Sequence, residues 1–206
     1  MRPTSAGTNQ VYLYDFLTQN NRLVSHDVNF ATALGNGTSD GPDISADGRY
    51  IVYRSAASNL VAGVSGGVPE EILFDAATGS NTVISSGGSG RVAGNNRSLP
   101  PMFSGDGHTV VFGTWGTDLV AGDFNQASDV VAFAFLYAAI TGTGGMPALN
   151  WPASANSNYS VQYKDNLSDP VWQPLPGVVT LIGNRGYLTD STSTSPQRFY
   201  RVRLDN

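Results

Sequence analysis

Residues 42–63 return, 59 positions later, as residues 101–122. Pro42, Ser45, Asp47, Gly48, Val52, Leu60, Val61, Ala62 and Gly63 fall on Pro101, Ser104, Asp106, Gly107, Val111, Leu119, Val120, Ala121 and Gly122. A shift of 60 aligns an earlier window, placing Leu13, Asp15, Thr18 and Ser25 on Leu73, Asp75, Thr78 and Ser85. The one-residue difference is an insertion in the loop between the windows. A repeat of about sixty residues restricts the fold to architectures assembled from one supersecondary unit used again.

Each unit reads as antiparallel strands. Asp47-Gly48 and Asp106-Gly107 are hairpin turns, in which Gly takes positive φ and Asp tolerates it. Short strands flank them at Pro42 to Ser45 and Tyr50 to Arg54, and at Pro101 to Ser104 and Thr109 to Gly113. A third strand spans Ile72 to Asp75 and is echoed by Val11 to Asp15. A fourth spans Asn81 to Ser85 and is echoed by Asn21 to Ser25. Abundant Gly (24 residues) and only 13% charged residues suit short strands joined by polar turns. No long segment has an amphipathic helical period.

The segments Pro-Asp-Ile-Ser-Ala-Asp-Gly-Arg-Tyr-Ile-Val-Tyr (42–53) and Pro-Met-Phe-Ser-Gly-Asp-Gly-His-Thr-Val-Val-Phe (101–112) resemble TolB-like β-propeller repeats. In that family a Ser-x-Asp-Gly hairpin precedes an apolar strand, and a Tyr-Asp-like strand end follows. Tyr14-Asp15 and Phe74-Asp75 fill that place here. The resemblance covers residues 9–136. It implies a partial propeller of about two blades over residues 1–136, whereas closed propellers have about four or more. Missing upstream blades, or self-association through open strand edges, would make up the difference.

After Gly142-Thr-Gly-Gly145 the pattern changes. Leu149 to Trp151, Tyr159 to Tyr163, Trp172 to Leu175, Gly186 to Asp190 and Phe199 to Leu204 read as strands. Turns fall at Asn156, Asn158, Asp165-Asn166, Pro176-Gly177 and Gly183-Asn184. An early Trp, a Tyr-x-Val-x-Tyr strand and a late Tyr-x-Val strand resemble a fibronectin type III-like β-sandwich, assigned to residues 137–206. Similar modules end large exported bacterial proteins. The final strand of that pattern is absent, or the run Val130 to Ile140 supplies a strand at the other edge. That run is eleven residues long, against about twenty for a membrane span, and reads as one or two buried strands. The expected fold class is therefore all-β, a partial propeller plus a small sandwich.

Net charge is −5, with a single lysine, Lys164. Phosphate binding needs clustered Lys and Arg, so no nucleic acid partner is expected. The absence of cysteine excludes disulfides and thiolate metal sites. Met1 to Gly7 has no apolar core of a signal peptide. An extracytoplasmic location (secreted, periplasmic or cell surface) rests on composition and the two resemblances.

The loop Ala121 to Asp129 holds the best candidate for a ligand. Asp123, Asn125 and Asp129 offer oxygen ligands spaced to wrap a hard cation such as calcium. The loop is not an EF-hand, because Ser128 stands where that motif needs Gly. The competing reading is a turn held by Asn and Asp side chains. Gly63-Val-Ser65-Gly-Gly67 matches a nucleophile-elbow pattern but lacks the flanking strand and helix that such an elbow needs. Glu70 and Glu71 are adjacent, so a strand turns them to opposite faces. Trp151, Tyr163, Trp172, Tyr187 and Tyr200 read as core rather than a sugar platform. These readings favour a non-catalytic module whose loops contact protein or glycan. The alternatives are a fragment of a glycan-active propeller enzyme, or a repeat that self-assembles through open edges.

Overall fold

The computed structural model describes residues 8–86, 93–120, 122–123, 125, 127–142, 146–194 and 197–205. The segment Met1 to Gly7, read above for a leader, lies outside them, as do Ala121, Phe124 and Gln126 of the candidate loop. The chain is all-β, built from several small antiparallel sheets, none of them closed. Two compact units divide it, Met1–Phe133 and Ala134–Asn206.

The first unit carries the repeat. β1 (Tyr12–Asp15) and β2 (Asn20–Leu23) form a two-stranded sheet. β3 (Ser39–Ile44), β4 (Tyr50–Ser55), β5 (Glu70–Asp75) and β6 (Ser80–Val83) form a four-stranded sheet in chain order. β7 (Met102–Phe103), β8 (Thr109–Thr114) and β9 (Asp129–Ala134) form a three-stranded sheet. The boundaries repeat with the sequence. β1 and β2 match the ends of β5 and β6 at a shift of 60, and β8 and β9 match β4 and β5 at a shift of 59.

The hairpins repeat down to single bonds. Gly48 and Gly107 have φ of 72° and 71°, which the tight turn requires. Ser45 Oγ donates to Asp47 Oδ1 at 2.6 Å, as Ser104 Oγ does to Asp106 Oδ1. The Ser hydroxyl bonds hold both aspartates below the usual carboxylate range, helped by the backbone N–H of Arg49 and of His108. One turn departs from its copy. Gln19 takes φ of 56° where the second unit has Gly79 at 77°. A side chain in that region costs about 1–2 kcal/mol. Gln19→Gly is therefore expected to raise the stability of the first unit by about 1 kcal/mol, read by chemical denaturation.

Alternation along the strands decides which faces are buried. Ile51, Tyr53, Ile72, Phe74 and Val83 of the four-stranded sheet share one core with Val11 and Val24 beside the first sheet. The opposite face of β3, β4 and β5 carries Asp43, Val52 and Leu73 in register. Asp43 Oδ2 accepts a 2.8 Å bond from the Phe103 N–H of β7, so this face is turned to the third sheet. The run from Val130 to Ile140 is not buried, contrary to the expectation above. β9 alternates half-buried and exposed residues, with Val130 78% exposed. β9 ends its sheet, and no described strand pairs with its outer edge.

In the second unit β10 (Ala139–Thr141), β11 (Ala148–Pro152), β14 (Thr180–Ile182) and β15 (Arg185–Thr189) form one sheet in the order β10-β11-β15-β14. β12 (Asn158–Lys164), β13 (Gln173–Pro174) and β16 (Phe199–Asp205) form another in the order β13-β12-β16. Leu149, Trp151 and Leu188 of the first share a core with Val161 and Leu175 from the second. Tyr159, Tyr163, Tyr200 and Val202 pack against that core. The tail of the Val130–Ile140 run does supply an edge strand, since β10 pairs with β11. The strand Thr180–Ile182 went unread in the sequence, because its exposed face shows no alternation.

Candidate functional site

The structure brings Asp123, Asn125 and Asp129 to one place. They border a cavity of about 480 Å³ together with Thr114, Gly116 and Val130. Asn125 sits at the centre of the loop's own bonding. Its Oδ1 accepts from the Ala127 N–H at 2.7 Å, and its amide donates to Asp129 Oδ1 at 3.3 Å. Its backbone N–H reaches Asp123 Oδ1 at 3.4 Å. Two of these bonds are Asn and Asp side chains closing turns on nearby N–H groups. Among the described residues no three His, Asp or Glu side chains converge in metal-binding geometry. One feature goes beyond a closed turn. Asp129 Oδ2 is shielded from solvent and meets no donor among the described residues.

The repeat explains Asp129. It begins β9 where Glu70 begins β5, and Gln10 holds the same position ahead of β1. In both earlier units that side chain is a socket for a serine. Ser25 Oγ donates to Gln10 Oε1 at 2.7 Å, and Ser85 Oγ donates to Glu70 Oε2 at 2.6 Å. The same hydroxyls accept from the next backbone N–H, of Val11 and of Glu71, each at 2.9 Å. The serine lies two residues past the last strand of each unit, Ser25 after β2 and Ser85 after β6. The third unit has no fourth strand among the described residues, and Asp129 keeps its free oxygen.

The other strongly perturbed carboxylates lie inside the sheets. Glu70 and Glu71 are both buried, on opposite faces of β5 as adjacency demands. Burial raises the pKa of Glu70, against the bonds from Ser85 and Gly94. Glu71 stands in a cross-strand row with Arg54 and Asp40. Asp40 takes both bonds of the Arg54 fork, at 2.9 and 2.8 Å. Neither Glu71 oxygen finds a donor among the described residues, and burial pushes its pKa up to about 9. The equivalent residues are Val11 and Val130, so this row exists only in the second unit. Glu70 and Glu71 border neither the 480 Å³ cavity nor one of about 740 Å³ beside β1 and β2.

Ser65 has no bond to a histidine among the described residues. His26 Nδ1 and Nε2 instead meet the carbonyls of Asp27 and Gly79, at 2.7 and 3.0 Å. Of the aromatic residues of the second unit, Trp151 is fully buried, with Tyr163 and Tyr200 against its cluster. Trp172 lies outside that cluster under two cations, with Lys164 Nζ 5.1 Å and Arg201 Cζ 4.6 Å from the ring centroid. Tyr187 is 37% exposed.

A second exposed aromatic group lies on β1, which sequence reasoning passed over. Tyr12 and Tyr14 occupy the positions of Ile72 and Phe74, which are core residues in the second unit. Here they are 55% and 44% exposed. Tyr14 meets Phe16 edge-on at 4.9 Å, and Phe16 and Leu17 stand out in solvent. Tyr12 also lines the 740 Å³ cavity, with Asn9, Asn21, Arg22, Leu23 and Thr32. The repeat alignment was the signal: aromatic residues at core positions of a unit that has no preceding unit among the described residues.

No family model matches this chain, and no curated protein matches it.

Proposed function

We propose that the chain is a non-catalytic binding and scaffold module of an exported or cell-surface bacterial protein. Residues 1–136 would form partial TolB-like propeller repeats that contact protein or glycan. Residues 137–206 would form a fibronectin type III-like sandwich that acts as spacer or attachment. The observation that carries the reading is the exposed group Tyr12, Tyr14, Phe16 and Leu17 on and after β1, of which Tyr12 lines the 740 Å³ cavity. Exposed apolar patches with a polar rim mark contact surfaces. Aromatic faces next to Asn and Arg donors suit a sugar ring or an aromatic-rich peptide. The buried carboxylates support the same reading, since an acid-base pair must reach its substrate.

A glycan array and a pull-down, each run beside an assay for glycan turnover, test it. Saturable binding is expected, weakened about tenfold or more by Tyr14→Ala, because aromatic anchors carry much of such contacts. Turnover with no binding on either platform would reject it. Calcium at Asp123, Asn125 and Asp129 is a cation-dependent form of the proposal. Binding that is the same in chelator and in calcium chloride would remove it.

A further inference from the structure

We propose that the outer edge of β9 is a strand-acceptor site for an extended polypeptide segment in which two aliphatic residues precede a serine. The inference rests on reading the first unit as a binding module, and it names one edge and one ligand chemistry for it.

The argument is the recurrence of one set of bonds. In the first unit the Val11 N–H donates to Ser25 Oγ, and the Val11 carbonyl accepts from the Val24 N–H at 3.0 Å. In the second unit the Glu71 N–H donates to Ser85 Oγ, and the Glu71 carbonyl accepts from the Ile84 N–H at 2.9 Å. The preceding side chain, Gln10 or Glu70, accepts the serine proton. Each incoming segment is therefore held at the serine hydroxyl and at the backbone N–H before it, and two aliphatic residues precede that serine in both copies.

The third unit has the receiving half of this arrangement. Asp129 stands in the acceptor position with Oδ2 unpartnered and shielded from solvent. Val130 follows, exposed, in the position of Val11 and Glu71. A strand turns the N–H and C=O of one residue to the same edge. The equivalence with Val11 and Glu71 thus aims both groups of Val130 outward. No described strand pairs with that edge. Asp129, Val130 and Val131 also line the cavity of about 480 Å³. An unpartnered buried acceptor and a row of unpaired backbone groups both gain from an added strand.

The occupant comes from outside these residues. The chain holds two triplets in which two branched aliphatic residues precede a serine, Leu23-Val24-Ser25 and Val83-Ile84-Ser85. Both already serve their own units through the bonds above. A second copy has none to spare.

The test is a titration of the full chain with a labelled peptide of residues 80–86, Ser-Asn-Thr-Val-Ile-Ser-Ser, followed by fluorescence anisotropy. Saturable binding is expected. Replacing the sixth residue of the peptide, the counterpart of Ser85, by alanine should weaken it about tenfold or more, the loss of a charge-assisted hydrogen bond. Val130→Pro, which removes the N–H that donates to the serine hydroxyl, should weaken it similarly while leaving the inner edge of β9 paired. The alanine peptide is informative even if a protein variant fails to fold. Absence of saturable binding, or equal binding of the serine and alanine peptides, overturns the proposal. So does self-association of the chain that the peptide does not compete away, since the edge would then belong to a second copy. A failed peptide titration leaves the glycan array and pull-down unaffected, so the two readings fall separately.

Discussion

Glu71→Gln is expected to stabilise the protein at neutral and alkaline pH and to change little in acid. The carboxyl is fully buried, has no donor among the described residues, and has a pKa of about 9 against 4.5 when free. A group whose pKa is raised on folding contributes stability that is complete below its unfolded pKa. That contribution is lost as pH rises through the folded value. For Glu71 the window runs from 4.5 to about 9. Between pH 4.5 and 7 the loss is about 3 kcal/mol, since each pH step in the window costs about 1.4 kcal/mol. Glutamine has the shape of the protonated acid and does not ionise. The variant should therefore show a flatter stability-pH profile, separating from the parent as pH rises. Urea denaturation at a series of pH values checks this. Parallel profiles for the two proteins would mean that Glu71 is not held neutral.

Asp190→Ala is expected to destabilise the second unit by about 1–3 kcal/mol, the cost of leaving the partly buried donors of Thr192, Tyr200 and one arm of Arg198 without their acceptor. Asp190 is 1% exposed and accepts four bonds. Thr192 donates its backbone N–H and its hydroxyl at 2.8 and 2.7 Å. Arg198 Nη1 donates at 2.9 Å and the Tyr200 hydroxyl at 2.8 Å. Burial opposes ionisation of Asp190, yet the bonds from Thr192, Tyr200 and Arg198 hold its pKa below the ordinary value. The side chain of Arg198 is 7% exposed and lies over the Tyr163 ring at 3.9 Å. Asp165, its other partner, takes Nε and Nη2 from the exposed side, so Arg198 stays paired when Asp190 is removed. Burial and the Asp190 bond together push the Tyr200 hydroxyl up to about 12. In the variant an ultraviolet titration should find that hydroxyl ionising at lower pH. Asp190→Asn keeps the Thr192 bonds and should cost less. The sign of the pH effect is opposite to that of Glu71. Stability from Asp190 is present above 3.8 and lost as pH falls below it.

The sequence and the structure agree where bonding is local. The Ser-x-Asp-Gly turns close within five residues, so their chemistry is complete in the motif itself. The period then makes β8 the counterpart of β4 and β9 the counterpart of β5. The candidate loop was legible as a cluster of oxygen atoms. What those atoms do was not. Asn125 spends its carbonyl on Ala127, and the meaning of Asp129 emerges only beside Gln10 and Glu70. The run Val130 to Ile140 read as buried because composition counts apolar residues without knowing which sheet covers them.

By itself, then, the sequence determined the strand-turn unit, its number of copies and the place where the repeat stops. These follow from backbone preferences and side-chain bonds across a few residues. Only the tertiary structure decided that Glu71 is buried without a donor, that Arg198 is held between Asp165 and Asp190, and that Asp129 lacks the serine its counterparts have. Each depends on which sheet or strand lies alongside. Solvation and pairing are set by neighbours tens of residues away in the chain, and no local pattern encodes them.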